Sequence, residues 1–278
     1  MKRLILLLAV TASALLAAGT IAVGPALAGS ALPTLSLTIT NSSIAVSGAT
    51  QSGAVNVVSS ATGVKEADVI LFLLKPGATF DEVEAAIQKA HGDTNATSKY
   101  GSIVFNAEVS PGQSSEAQTY LQPGQYVAVL PGGEGKGSRA HALFTVTAAA
   151  SPVPLPTPEA TIRSIEFGFK GPSLLHDGEL VRFENEGYLV HMDVAAPVKN
   201  MKAARQAVKD VLAGKEKAFE KLIAGPPVGF TGPVSHEAFQ QETITAKPGI
   251  YVELCFMDTQ DGRSHTQLGM ERIIRIVK

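Results

Sequence analysis

Residues 246–270 read AKPGIYVELCFMDTQDGRSHTQLGM and hold the one cysteine of a 278-residue chain. A Pro-Gly step opens a run rich in β-branched and aromatic residues that closes at Cys255. An Asp261-Gly262 turn follows, and Met270 stands five residues after His265. The pattern is strand, polar hairpin, strand. If Leu254 to Met257 is one strand and Glu271 to Val277 the next, the thiol, imidazole and thioether of Cys255, His265 and Met270 meet at one end of a sandwich.

The same core occurs once more. Residues 121–130, LQPGQYVAVL, repeat the Pro-Gly-x-Tyr-Val of residues 246–255. Each copy runs through a polar, glycine-containing hairpin to a histidine and then a closing β-branched strand. Ahead of each lies a second apolar strand, at 69–74 and 188–194, and a helical stretch. We read this as duplication of one β-rich module. Between the copies, residues 151–158 (SPVPLPTP) place proline at every second position, which favours an extended, stiff linker. The expected divisions are 1–28, 29–150, 151–159 as linker, and 160–278.

Short strands bounded by Gly, Pro, Asn and Ser turns predict β-sandwiches with helical insertions. Thr79-x-x-Glu82 predicts a capping box, with Val83, Ala86, Ile87 and Ala90 on one helical face and Gly92 past the end. A longer helix is predicted from about Asn200 to Ile223, loosened at Gly214.

The amino terminus sets the compartment. Lys2 and Arg3 precede an apolar run that ends in small residues, Ala26-Leu27-Ala28, so residues 1–28 read as a secretory signal peptide. Their removal takes the net charge from −2 to −4. A mild, unclustered acidity argues against nucleic acid or an anionic membrane as partner. No later segment is long and apolar enough to span a bilayer, so the mature chain is expected to be soluble and outside the cytoplasm. Exported proteins commonly pair their cysteines, yet a lone thiol cannot form an internal disulfide. By itself it reads as a small buried hydrophobe. Its neighbours change that reading.

Thiolate, imidazole and thioether are soft ligands suited to copper, and the set lacks the carboxylates of calcium or magnesium sites. A blue copper centre needs one more imidazole. His191 follows a strand and a polar turn, FENEG at 183–187, and sits among Leu, Val and Met. A lone histidine in such a strand is more often a hydrogen-bonded core residue, but the sandwich would bring this one to the cysteine loop.

The second half resembles the cupredoxins, the blue copper proteins, in Asn185-x-Gly-x-x-x-His191, Pro248-Gly249-x-Tyr251-x-x-x-Cys255 and His265-x-x-x-Gly269-Met270. The resemblance implies a mainly β chain of two cupredoxin-like Greek-key β-sandwich domains. It implies one type 1 copper held by His191, Cys255 and His265, with Met270 as weak axial ligand and Asn185 supporting them as a tie between the two ligand segments. It also implies single-electron transfer, with His265 at the surface as the electron exit toward a redox protein. Two departures stand out: the Cys-to-His interval is longer than in the small electron carriers, and the helical insert lies where it could cover the site. In the first half Leu130 stands for Cys255 and Leu71 near the place of His191. His141 aligns with His265 under one gap and Met270 under another. That half is expected to be a ligand-free, structural copy.

Other candidates read as ordinary structure. His236 and His176 lie in loops, Met192 and Met257 fill core, and Asp261 belongs to its Asp-Gly turn. No Gly-x-Ser-x-Gly, phosphate loop or His-Glu-x-x-His helix is present, so an electron carrier or binding protein is expected rather than a catalyst. The rival reading is a metal-free extracellular binding or structural protein. Copper capture is a weaker one, since a single thiolate and no Met-rich tract give little capacity.

Overall fold

A computed structural model describes residues 32–64, 67–109, 112–132, 138 and 140–278. The signal-peptide expectation for residues 1–28 lies outside them. In chain order the first half contains β1 (Thr34–Ile39), β2 (Ile44–Gly48), β3 (Gly53–Ala61), β4 (Ala67–Leu74), α1 (Phe80–Lys89), β5 (Gly101–Val109), β6 (Ser114–Leu121), β7 (Gly124–Leu130) and β8 (Ala140–Val146). The second contains β9 (Ala160–Ile165), β10 (Gly168–Lys170), β11 (Leu174–His176), β12 (Leu180–Asn185), β13 (His191–Val198), α2 (Met201–Leu212), α3 (Glu216–Glu220), β14 (Val228–Val234), β15 (Phe239–Thr243), β16 (Gly249–Leu254) and β17 (Glu271–Val277).

The strands form three sheets, in the orders β5-β4-β7-β8, β11-β17-β16-β13-β14 and β10-β9-β12-β15-β6-β3-β1-β2. The eight-stranded sheet is shared, and each half of it backs one of the other sheets. Alternation along the strands dictates this layering: Leu35, Leu37, Val55 and Val57 turn inward to meet Leu71, Phe105, Tyr126 and Leu130, all buried. In the second half Ile162, Val181 and Phe183 meet Ala195, Tyr251, Ile274 and Ile276. The chain is mainly β, as expected.

Both Pro-Gly-x-Tyr motifs fold alike. The Tyr126 hydroxyl donates to Gln122 O at 3.0 Å, and that of Tyr251 to Lys247 O at 2.6 Å, so each ring fastens the corner that launches its strand. Tyr126 pairs with Leu73 and Phe144, and Tyr251 with Pro197 and Ile274. Counting back from these tyrosines, Leu130 matches Cys255 and Ala140 matches Met270. Two expectations need correction. Leu71 matches Ala195, and Ala67 takes the place of His191. His141 matches Glu271, neither His265 nor Met270, and its ring packs on Phe80 at 4.6 Å.

Both helical insertions lie on outer sheet faces. Thr79 and Glu82 form the capping box, each accepting the other's backbone N–H. Phe80 and Val83 of α1 then pack over Phe72, Ile103 and Val127. Asn200 caps α2 by accepting from Ala203 N at 3.0 Å, and Ala204, Ala207 and Val211 pack over Val198, Val252 and Leu254. The single long helix expected in this insert is two helices, broken where Gly214 adopts φ +66°, a conformation costly for other residues.

Polar side chains hydrogen-bond the two halves together, beside an apolar contact in which Val190 and Met257 pack on the first half. The Gln241 side-chain amide donates to Gln118 Oε1 at 2.9 Å, while its oxygen accepts from the Arg182 guanidinium. Asn106 N donates to Gln240 Oε1, and Ser235 and Ile103 exchange two bonds. The proline run carries no regular element; Val153 O accepts from Ala54 N and Pro156 O from Gln241.

Candidate metal centre

His191 opens β13, Cys255 directly follows β16, His265 ends the hairpin after it, and Met270 directly precedes β17. The hairpin is pinned at both ends. Thr266 Oγ donates to Cys255 O at 2.8 Å and accepts from Cys255 N, while Thr266 N also donates to Cys255 O. His265 N donates to Met257 O at 2.7 Å, and Met270 N to His265 O at 3.0 Å. Gly269, at φ +103°, makes the turn between His265 and Met270. Asp261 accepts from Thr259 Oγ and the Arg263 side chain, which confirms it as turn chemistry.

The three expected equatorial ligands converge. Cys255 Sγ lies 3.8 Å from His191 Nδ1 and 3.5 Å from His265 Nδ1, and the two nitrogens are 3.0 Å apart. A point equidistant from the three atoms lies about 2 Å from each, the length of a metal–imidazole bond. Two neutral imidazoles aim ring nitrogens at one another here, an arrangement that calls for a cation or a shared proton between them. Burial, reinforced by His265, lowers the pKa of His191 to about 3, and burial lowers that of His265 to about 4. Both rings are therefore neutral and able to ligate. Burial pushes the Cys255 thiol up to about 12, although Met192 N donates to the sulfur. A metal must displace that proton, as thiolate ligation requires. The donor set and its spacing fit a soft, small cation. Met270 is fully buried beside the triad.

The surroundings close over the rings. His191, Cys255 and His265 all have 0% exposure, and neither Nε2 has a hydrogen-bond partner among the described residues. His265 is thus no surface exit: the edge of Phe167 packs against it, with ring centroids 5.3 Å apart. Gly187 lies against His191, where an added Cβ would sit 2.7 Å from Nε2. Glu166 Oε1 accepts from Tyr188 N and Leu189 N, fixing this cover. Beneath the ligands, Asp193 is buried beside Glu253, which pairs with Arg272. Burial first, and Glu253 second, hold the Asp193 carboxyl well above the usual range.

Asn185 supports the first histidine's loop in a different way from that expected. Its amide donates to Leu189 O and Val234 O, and its oxygen accepts from Gly187 N, so it ties that loop to β14 rather than to the cysteine hairpin. His236 is no ligand; its Nδ1 meets Gly187 O at 2.8 Å and its ring packs on Tyr188. The helical insert packs on the outer face over Val198, Val252 and Leu254, and its Gly214 lies against Gln267, two residues after His265. No second cluster of three His, Cys, Asp or Glu side chains with this spacing occurs among the described residues.

No family model matches the chain, and a comparison with curated proteins finds no match. Among solved structures it is similar to dithionite-reduced auracyanin from the photosynthetic bacterium Roseiflexus castenholzii, at 17% identity and TM-score 0.26 over 42% of this chain and 95% of that one. It is also similar to a Cu-containing nitrite reductase from Thermus scotoductus SA-01, at 13% identity and TM-score 0.26 over 88% and 68%. A blue copper oxidase from Nitrosomonas europaea aligns at 11% identity and TM-score 0.23, over 87% and 85%. Likeness at this level carries no functional argument. On its own strand order and on the buried convergence of His191, Cys255 and His265 next to Met270, the chain has a cupredoxin-like fold.

Proposed function

We propose that this is an exported single-electron carrier that holds one type 1 copper between His191, Cys255 and His265, with Met270 as weak axial ligand. The triangle of ligand atoms carries the reading. Bound copper would supply a one-electron couple, and three protein ligands around it form the His₂Cys set of blue copper centres. The chain's own contribution is preorganisation. Thr266 locks Cys255 and its hairpin together, Asn185 fixes the loop before His191, and Gly187 and Phe167 keep water off the rings. A ligand set held this way rearranges little between charge states, which suits outer-sphere transfer. With both rings covered, electrons would cross the thin layer at Gly187 or Phe167 to reach a redox partner.

No helix among the described residues is long and apolar enough to cross a membrane. Export rests on the signal pattern of residues 1–28.

The test is Cu(II) titration of the chain starting at Gly29, read by visible absorption and EPR, with Cys255→Ser as control. An intense thiolate-to-copper band at one equivalent, absent in the variant, is expected. Weak binding without that band, unaffected by the substitution, would overturn the proposal. It would leave a metal-free binding or structural protein.

A further inference from the structure

The half of the chain without ligands grips the residue next to one. Val190 N donates to Asn95 Oδ1 at 2.7 Å, across 95 positions of sequence. Asn95 is itself fixed, because its side-chain amide and its backbone N–H both donate to Asp93 Oδ1 at 2.9 Å. The Val190 side chain is 4% exposed and belongs to an apolar cluster whose other buried members, Phe72, Leu74, Phe80, Val83, Ile103 and Val127, all come from the first half. Met257, two residues beyond Cys255, packs against the same cluster.

Val190 directly precedes β13, and its side chain packs into the first half while the His191 ring turns to Cys255 and His265. One peptide joins them, and whatever fixes Val190 fixes the Cβ of His191. The sheet alone does less here: β13 pairs with β16 only from Val194 onward, and with β14 through a register shift just after His191. From these contacts we infer that Asn95 is a positioning residue of the metal centre, through which the ligand-free half aims the His191 ring at the ligand triangle. The inference rests on the copper reading proposed above.

The test uses the full chain from Gly29 with Asn95→Ala and with the swap Asp93→Asn/Asn95→Asp. In the swap, the amide brought to position 93 can donate to the carboxylate brought to position 95. That carboxylate can also accept from Val190 N, so the clamp is rebuilt with the partners exchanged. Three readouts are taken: Cu(II) titration with absorption and EPR, amide hydrogen exchange at Val190, and the His191 ring signals of the metal-free protein by NMR. Asn95→Ala is expected to speed exchange at Val190, shift the His191 ring signals, change the EPR pattern, and weaken copper by about 10- to 100-fold, the usual cost of losing a group that orients a ligand. The swap should restore all four. Faster exchange at Val190 with unchanged ring signals and copper spectra would overturn the inference, leaving Asn95 a backbone tether only. If the unsubstituted chain shows no thiolate band, the copper reading fails separately. The ring signals then decide: unchanged in Asn95→Ala, they overturn the clamp; shifted, they sustain it.

Discussion

Cys255 sits as a neutral thiol behind closed walls, and two outcomes follow at the residue scale. With no exposed surface and a pKa pushed up to about 12, it should resist iodoacetamide in the native protein and react fully once unfolded. The histidines set the pH behaviour of the metal-free chain. Their folded pKa values, about 3 and about 4, lie below the unfolded value near 6.5, so the unfolded state binds more protons between those limits. Stability that these two residues contribute is present above about pH 6.5 and lost as pH falls toward 3. Urea midpoints at pH 7 and pH 5 should show the drop, and His191→Gln should shrink it. The donors were legible in the sequence because soft ligand types stand out where carboxylates are missing. Their closure was not. Phe167, which covers His265, is 98 residues away and carries no mark of that role except a positive φ of 56° visible only in the fold.

At the scale of elements, local chemistry is legible in the sequence and register is not. The capping box at Thr79 announces itself because both partners lie within one turn. Thr79→Ala should cost about 1 kcal/mol in chemical denaturation and leave copper binding unchanged. Gly269 is a harsher case. Any side chain at φ +103° is strained, and here the strain falls between His265 and Met270. Gly269→Ala should weaken copper and broaden the EPR signal, a result visible in the same titration. The misplacement of Leu71 and His141 has a plain cause: strand pairing, and not gap counting, decides which residues correspond. Slipping a strand by one residue turns every side chain to the other face. The two tyrosine corners supply the fixed points that the hairpins, unequal in length, could not.

At the scale of the whole molecule, the join between the two halves was illegible because its polar contacts carry none of the signals by which strands are recognised. Gln118 and Gln241 meet within the shared sheet, and Asn106, Gln240 and Ser235 join β5 to the β14–β15 segment, residues that read as turn or surface when met in sequence. The tolerance of this join is small. A Cβ on Gly232 would lie 1.8 Å from Asn106 Oδ1, and Asn106 is buried and bonded to Asp68. Gly232→Ala should therefore destabilise the protein by about 1–3 kcal/mol, the cost of forced overpacking, measured as a lowered urea midpoint. The strand order carries a further consequence. Reading inward from either edge of the eight-stranded sheet gives corresponding strands of the two copies, β10-β9-β12-β15 and β2-β1-β3-β6. That is the arrangement a symmetric dimer of single sandwiches would make. Fusion through residues 151–158 converts such an association into an intramolecular one, at an effective concentration in the millimolar range for a short connector. On the copper reading proposed above, one copy can then do without ligands of its own, because its partner can no longer diffuse away.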